Sequence, residues 1–210
     1  MIKVLIADDH SLIREGFKKI LSREADIRVV GEAGDASEVL DFLDKNECDV
    51  LVMDISMPGQ NGLEALEILR PRFPNVRVLF LSMHDEEHYA LRALKGGASG
   101  YLTKESAPDE LIKAIRRIYD GRMYINQTIA EKLAFTVSGK TDKMPHENLS
   151  DREFQVLRLL AHGKSISDIA EQLSVSSSTV STYRQRIAEK LNVKTTAELI
   201  LYAVNNKLLD

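Results

Sequence analysis

Short apolar runs recur along the first half of the chain, each bounded by polar or turn-forming residues. The sharpest is Val50-Leu51-Val52-Met53, which runs straight into Asp54 and then into Ile55-Ser56-Met57-Pro58-Gly59, where Pro and Gly impose a turn. A run of this length without polar alternation predicts a strand buried on both faces. Val4-Leu5-Ile6-Ala7, ending at Asp8-Asp9, reads the same way, as do Ile27–Ala33, Val76–Ser82 and the shorter Gly100–Lys104. Between these runs apolar residues recur at helical spacing. Leu12, Ile13, Phe17, Ile20 and Leu21 follow a Ser11 cap; Val39, Leu40, Phe42 and Leu43 follow Asp35. Leu63, Leu66 and Leu69 start from Gly62 and stop at Pro71 and Pro74, and Tyr89 to Leu94 stop at Gly96-Gly97. Pro108 opens the last of this series, with Leu111, Ile112, Ile115 and Ile118 on one face.

Five strands alternating with five helices over about 120 residues predict an α/β doubly wound parallel sheet for residues 1–121. Residues 122–147 differ: Ile125, Ile129, Leu133 and Phe135 allow one short helix, and the polar Val137–Pro145 stretch reads as a linker. From residue 148 the pattern is helical throughout. Ser150 with Glu153 and Thr195 with Glu198 form capping boxes, and Ser165 caps a brief helix between them. A tight Ser174-Val175-Ser176 turn leads into a helix carrying Val180, Tyr183, Ile187 and Leu191. Residues 148–210 are therefore expected to form a small all-α, four-helix domain containing a helix-turn-helix.

The 44% hydrophobic and 29% charged composition is that of an ordinary globular protein, and 210 residues suit two domains. The net charge of −4 is uneven: residues 146–210 hold eight Lys/Arg and eight Asp/Glu, so the N-terminal part carries the negative excess. Nucleic-acid binding would therefore rest on a local patch. Cys48 stands alone, which excludes an intramolecular disulfide and a cysteine-based zinc site, and it reads as a small buried hydrophobe. No run is long enough to span a membrane, and the N-terminus turns acidic too early for a signal peptide, so a cytosolic location is expected.

Asp8, Asp9 and Asp54 fall at the carboxyl ends of neighbouring strands, where open α/β sheets bind ligands. Clustered carboxylates raise one another's pKa unless a cation neutralises them, and all-oxygen ligation with few protein ligands suits Mg2+. Ser82 ends the fourth strand and Lys104 the fifth, bringing a hydroxyl and an ammonium to the same crevice. This set can bind a phosphoryl group carried covalently on Asp54.

At these residues the chain resembles a two-component response regulator, and Met57-Pro58-Gly59-Gln60-Asn61-Gly62 is similar to that family's Met-Pro-x-x-x-Gly loop. The C-terminal segment resembles a LuxR-type output domain, placing the whole chain among NarL/FixJ proteins. The resemblance implies the flavodoxin-like strand order 2-1-3-4-5. It implies that Asp54 accepts a phosphoryl group from a histidine kinase, with Asp9, Asp54 and the Ser56 carbonyl on Mg2+ and Asp8 acting through water. It places Lys104 and Ser82 on phosphate oxygens and makes Tyr101 a switch aromatic that turns inward as Ser82 moves. Met83, next to Ser82, would partly cover the phosphate and slow its hydrolysis.

Between Ser176 and Lys194 the charges are Arg184, Arg186, Lys190 and Lys194 against Glu189, a local +3, with hydroxyls at Ser177, Ser178, Thr179, Ser181 and Thr182. Such a helix suits the major groove of double-stranded DNA, with hydroxyls near its start on phosphates. Thr179–Tyr183 and Ile187–Val193 follow the LuxR-type pattern, but Ser181 and Tyr183 stand where that family commonly has Lys and His. Losing a cation weakens phosphate attraction, so an operator sequence does not transfer from relatives. Arg184 and Gln185 are the candidates for base contacts and Lys190 for a phosphate. Helix-turn-helix units usually bind as dimers on paired half-sites, and the resemblance puts the dimer surface on the last helix, with Leu201 and Val204. Two other readings compete. An aspartate-nucleophile phosphatase would need an acid two residues after the nucleophile, where Ser56 stands; a DNA-binding protein with a purely structural receiver would never be phosphorylated.

Overall fold

Five strands, β1 (Ile2–Ala7), β2 (Ile27–Ala33), β3 (Val50–Asp54), β4 (Arg77–Ser82) and β5 (Gly100–Thr103), pair in parallel in the order β2-β1-β3-β4-β5. The computed structural model describes residues 1–57, 60–82, 87–106, 108–126, 129–131, 144–206 and 208–209. They belong to two compact units, Met1–Gly139 and Lys140–Asp210. Every residue of β3 is buried, as its unbroken apolar run requires. Val4, Ile6, Val50, Val52, Leu79 and Leu81 face α1 (Ser11–Leu21) and α5 (Pro108–Tyr119), packing with Leu21, Leu111, Ile115 and Ile118. The alternate residues, among them Leu5, Leu51, Met53 and Phe80, are equally buried; strand alternation turns them to the other face. Three further helices complete this unit's main series: α2 (Ala36–Leu43), α3 (Gly62–Arg72) and α4 (Glu87–Lys95).

The strand registers bring the chemistry to one edge. Ala7 pairs with Met53, so Asp8 and Asp54 leave adjacent strands side by side. Ser82 pairs with Thr103, and the Lys104 N–H donates to the Ser82 carbonyl at 2.7 Å. Gly62 lets the loop after Asp54 fold back closely: its N–H donates to the Ile55 carbonyl at 2.9 Å, and a Cβ there would lie 2.5 Å from the Asp54 carbonyl oxygen. No other residue fits that approach.

Several local expectations shift. The N-cap of α1 is His10, not Ser11, and it makes no side-chain capping bond. Asp35 does cap α2, accepting from the Glu38 N–H at 2.9 Å. An unforeseen capping box, Asn61 with Glu64, starts α3, and the helix runs past Pro71 to Arg72. A proline so near the end disturbs only the last turn of the ladder. Within the stretch expected as linker, Tyr124 bridges to β5: it accepts from the Tyr101 N–H at 3.0 Å and donates to the Ser99 carbonyl at 3.1 Å. Residues 129–131 are helical and Ile129 is buried. Leu133, Phe135 and most of the polar Val137–Pro145 stretch lie outside the described residues, as do Pro58, Gly59 and Met83.

The second unit holds a 3-10 turn (Pro145–Asn148) and four helices: α6 (Asp151–Ala161), α7 (Ile166–Gln172), α8 (Ser177–Leu191) and α9 (Thr196–Asn205). The capping boxes at Ser150, Ser165 and Thr195 all form, and Ser176 caps α8. Phe154, Leu157, Ile169, Val180, Ile187, Leu199 and Ala203 fill the core. An ion pair ties α6 to α8. Glu153 is buried; it accepts from the Ser150 N–H at 2.7 Å and from the Lys190 ammonium at 2.6 Å. Burial works to raise the Glu153 pKa, but Lys190 and the Ser150 N–H outweigh it and hold the carboxyl below the usual glutamate range.

A carboxylate depressed in the native state contributes stability above its unfolded pKa and loses it as pH falls through the native value. Glu153→Gln keeps the shape and removes the charge. Because Lys190 is partly exposed, we expect a loss of about 1–2 kcal/mol at neutral pH. The gap should close in acid, read as converging urea midpoints for the second unit.

Candidate functional site

Asp8 and Asp54 are almost wholly buried, at 1% and 3% exposure, whereas Asp9 reaches solvent. Strand ends explain the difference: the Asp8 N–H still donates to the Ala33 carbonyl of β2 at 3.1 Å, and the chain turns outward one residue later. Arg14 fixes that turn from α1 by donating to the Asp8 carbonyl at 2.5 Å. The Lys104 side chain is buried with the two aspartates, its Nζ 2.6 Å from Asp8 Oδ2 and 2.9 Å from Asp54 Oδ2. One ammonium thus faces two buried carboxylates.

The imbalance appears in the titration of each group. Burial raises the Asp54 pKa and Asp8 raises it further, while Lys104 and the Ser56 N–H pull it down; the net direction is upward. For Lys104, burial disfavours the charge, but the carboxylates of Asp54 and Asp8 prevail and its pKa is raised. Asp8 Oδ2 has no hydrogen-bond partner; its approach to Lys104 is a contact of charge without hydrogen-bond geometry. A buried carboxylate oxygen left in that condition is costly unless a further cation completes it. Ligand atoms of Asp8, Asp9, His10 and Asp54 all lie within 4.8 Å of one another. These residues fit a divalent cation, and His10 is a member that sequence reasoning missed.

Ser82 is buried at the end of β4, and Tyr101 on β5 is buried too, at 2% exposure, its N–H donating to the Tyr124 carbonyl at 3.0 Å. Ser56 is exposed at the mouth of the crevice. The structure therefore brings Asp8, Asp9, Asp54 and Lys104 together, with Ser82 aligned to Lys104 through the backbone.

On α8, Ser177, Thr182 and Gln185 are exposed and Thr179, Ser181 and Arg184 half-buried. The Ser181 and Thr182 hydroxyls donate back to the Ser177 and Ser178 carbonyls, each at 3.0 Å. Gln185 donates to Glu189 at 3.1 Å. Lys190, the candidate for a phosphate contact, pairs with Glu153 at 2.6 Å and donates to the Asn148 carbonyl at 3.2 Å. A polar groove of about 560 Å3 runs between α8 and the start of α9, and Arg184, Gln185, Lys194 and Thr195 line it. Lys194 is a basic group on this face that the expected contact set lacked. On α9, Leu201 and Val204 are 58% and 49% exposed, an apolar pair open to a partner.

The raised pKa of Asp54 has a consequence for stability. A carboxyl whose native pKa exceeds its unfolded value favours folding in acid, and that contribution is lost as pH rises through the native pKa. Asp54→Asn does not titrate. Without divalent metal, we expect it to be more stable than wild type at neutral pH, with the gain vanishing below the ordinary aspartate range. Thermal melts between pH 3 and 8, on an order-of-magnitude pH scale set by that range, check it.

Residues 4–116 match the family described as response regulator receiver domain, and residues 147–203 match bacterial regulatory proteins of the luxR family. Over its whole length the chain is 39% identical to the oxygen regulatory protein NreC of Staphylococcus epidermidis, also covered in full. It is 37% identical to the response regulator UvrY of Escherichia coli K12, covering 100% of this chain and 97% of UvrY. Among solved structures, RcsB from Salmonella enterica serovar Typhimurium, bound to promoter rprA with the phosphomimetic BeF3-, is similar with a TM-score of 0.65. It is 28% identical, covering 96% of this chain and 97% of that one. A structure of two RcsB dimers on two parallel DNAs is similar with a TM-score of 0.60 at 29% identity, covering 97% and 98%.

Proposed function

Since the chain belongs to the NarL/FixJ family of two-component response regulators, with a receiver and a LuxR-type DNA-binding domain, we propose that Asp54 is the phosphoacceptor through which its transcriptional activity is controlled. The observation that carries the reading is the buried set Asp8, Asp54 and Lys104, with two carboxylates against one ammonium. A carboxylate oxygen of Asp54 attacks the phosphorus of a phosphohistidine on a partner kinase. The new P–O bond forms as the P–N bond breaks, and the imidazole of the kinase leaves with the bonding pair. Mg2+ would be held by Asp9, Asp54 and the Ser56 carbonyl, with Asp8 behind them; when bound it neutralises the oxygens of the transferring group.

Lys104 then releases Asp54 Oδ2 and binds a phosphoryl oxygen, and the Ser82 hydroxyl donates to another. The backbone bond between Lys104 and Ser82 keeps the two residues side by side. In this reading Tyr101, buried on β5, is the switch aromatic whose position follows Ser82. A phosphoryl group stabilises that arrangement only by contacts it makes there and not elsewhere. We further propose domain limits of 1–121 and 148–210 with residues 122–147 between them, a cytosolic location, and a homodimer that binds double-stranded DNA when active. Ser177, Thr179, Ser181 and Thr182 with Arg184 and Gln185 face the DNA, and Leu201 and Val204 supply the dimer contact.

The test measures promoter DNA binding and oligomer size with and without beryllofluoride in Mg2+, for wild type and Asp54→Ala. We expect treated wild type to dimerise and bind DNA at least about tenfold more tightly, with no response in Asp54→Ala. Equal binding by all four samples would leave a DNA-binding protein with a structural receiver. Sustained hydrolysis of phosphate esters would favour the phosphatase reading instead.

A further inference from the structure

His10 occupies the N-cap of α1, a place where Ser, Thr, Asp or Asn would contribute about 1 kcal/mol by capping the helix. Its side chain makes no capping bond. It turns the other way, with Nδ1 2.7 Å from Asp9 Oδ1 and 3.4 Å from Asp8 Oδ1. The backbone holds it there: the His10 N–H donates to Asp8 Oδ1 at 2.9 Å, and its carbonyl accepts from the Ile13 and Arg14 N–H groups. Arg14 braces the same turn through the Asp8 carbonyl. An imidazole nitrogen is thus built into the carboxylate cluster from a fixed helix end, beside a buried Asp8 oxygen that has no hydrogen bond.

We infer that His10 is a ligand-side group of the cation site, and that it tunes the site toward transition-metal divalent ions such as Mn2+ over Mg2+. This rests on the cation site of the proposed function. Mg2+ takes hard oxygen ligands and gives up its water reluctantly, whereas first-row transition ions accept imidazole readily. At 2.7 Å from Asp9 Oδ1, Nδ1 carries the ring hydrogen and donates it to the carboxylate in this structure. Moving that hydrogen to Nε2, with the ring kept in place, would present the Nδ1 lone pair to a cation held by the cluster, and the side chain is 65% exposed. An oxygen site with one added nitrogen discriminates by ligand chemistry while keeping the same carboxylates.

The experiment is calorimetric titration of the untagged full chain with Mg2+ and, separately, Mn2+, together with electron-spin-echo spectroscopy of the bound Mn2+. Wild type, His10→Phe, His10→Asn and Asp54→Asn are compared; Asn supplies the helix cap that Phe lacks. We expect both His10 variants to weaken Mn2+ binding about tenfold while changing Mg2+ binding by less than about twofold. Imidazole nitrogen modulation should be present in wild type and lost in both. Unchanged Mn2+ affinity without nitrogen modulation in wild type overturns the role of His10 and leaves the cation site standing. If neither ion binds, or binding is indifferent to Asp54→Asn, the cation site itself fails and this inference with it.

Discussion

One buried ammonium between two buried carboxylates is the constraint around which the receiver is arranged. Lys104 lies within 3 Å of both Asp8 and Asp54, and all three side chains are shielded from water. Lys104 offsets one negative charge, and the remaining one has no neutralising partner among the described side chains at that depth. Burial of this kind costs on the order of several kcal/mol per ion, and a further cation beside the two carboxylates would relieve it. The upward shift of the Asp54 pKa comes first from its burial, which outweighs the pull of Lys104.

The parallel sheet is what makes such crowding possible. β3 is buried along its whole length, and its neighbours deliver Asp8, Ser82 and Lys104 to the same edge through fixed registers. Gly62 then admits the backbone of α3 against the Asp54 carbonyl, which closes the site from behind. The second unit solves a different problem with the same means. There a buried Glu153 caps α6 and holds α8 through Lys190, so α8 is fixed by an ion pair near its C-terminal end.

Much of this was legible in the residues. The Val50–Asp54 run announced a central strand ending in a carboxylate, and the Ser150, Ser165 and Thr195 caps marked three helix starts. What escaped depends on distance in sequence or on side-chain direction. Lys190 carries a charge on a helix expected to meet DNA, and nothing local reveals that Glu153, 37 residues earlier, claims it. His10 looked like a loop residue because Ser11 is the better cap by type; only the geometry shows its ring turned to Asp9. Tyr124 lay in a stretch that reads as linker, and its pairing with β5 comes from an edge strand that offers free backbone groups.

The most direct measurement is intact-mass spectrometry of the chain after treatment with a small-molecule phosphodonor, with and without Mg2+, for wild type and Asp54→Asn. If the buried charge imbalance exists to receive a phosphoryl group, wild type gains one such group only when Mg2+ is present, and Asp54→Asn gains none. A wild type that remains unmodified in Mg2+, or an Asp54→Asn protein modified as fully as wild type, would contradict the account.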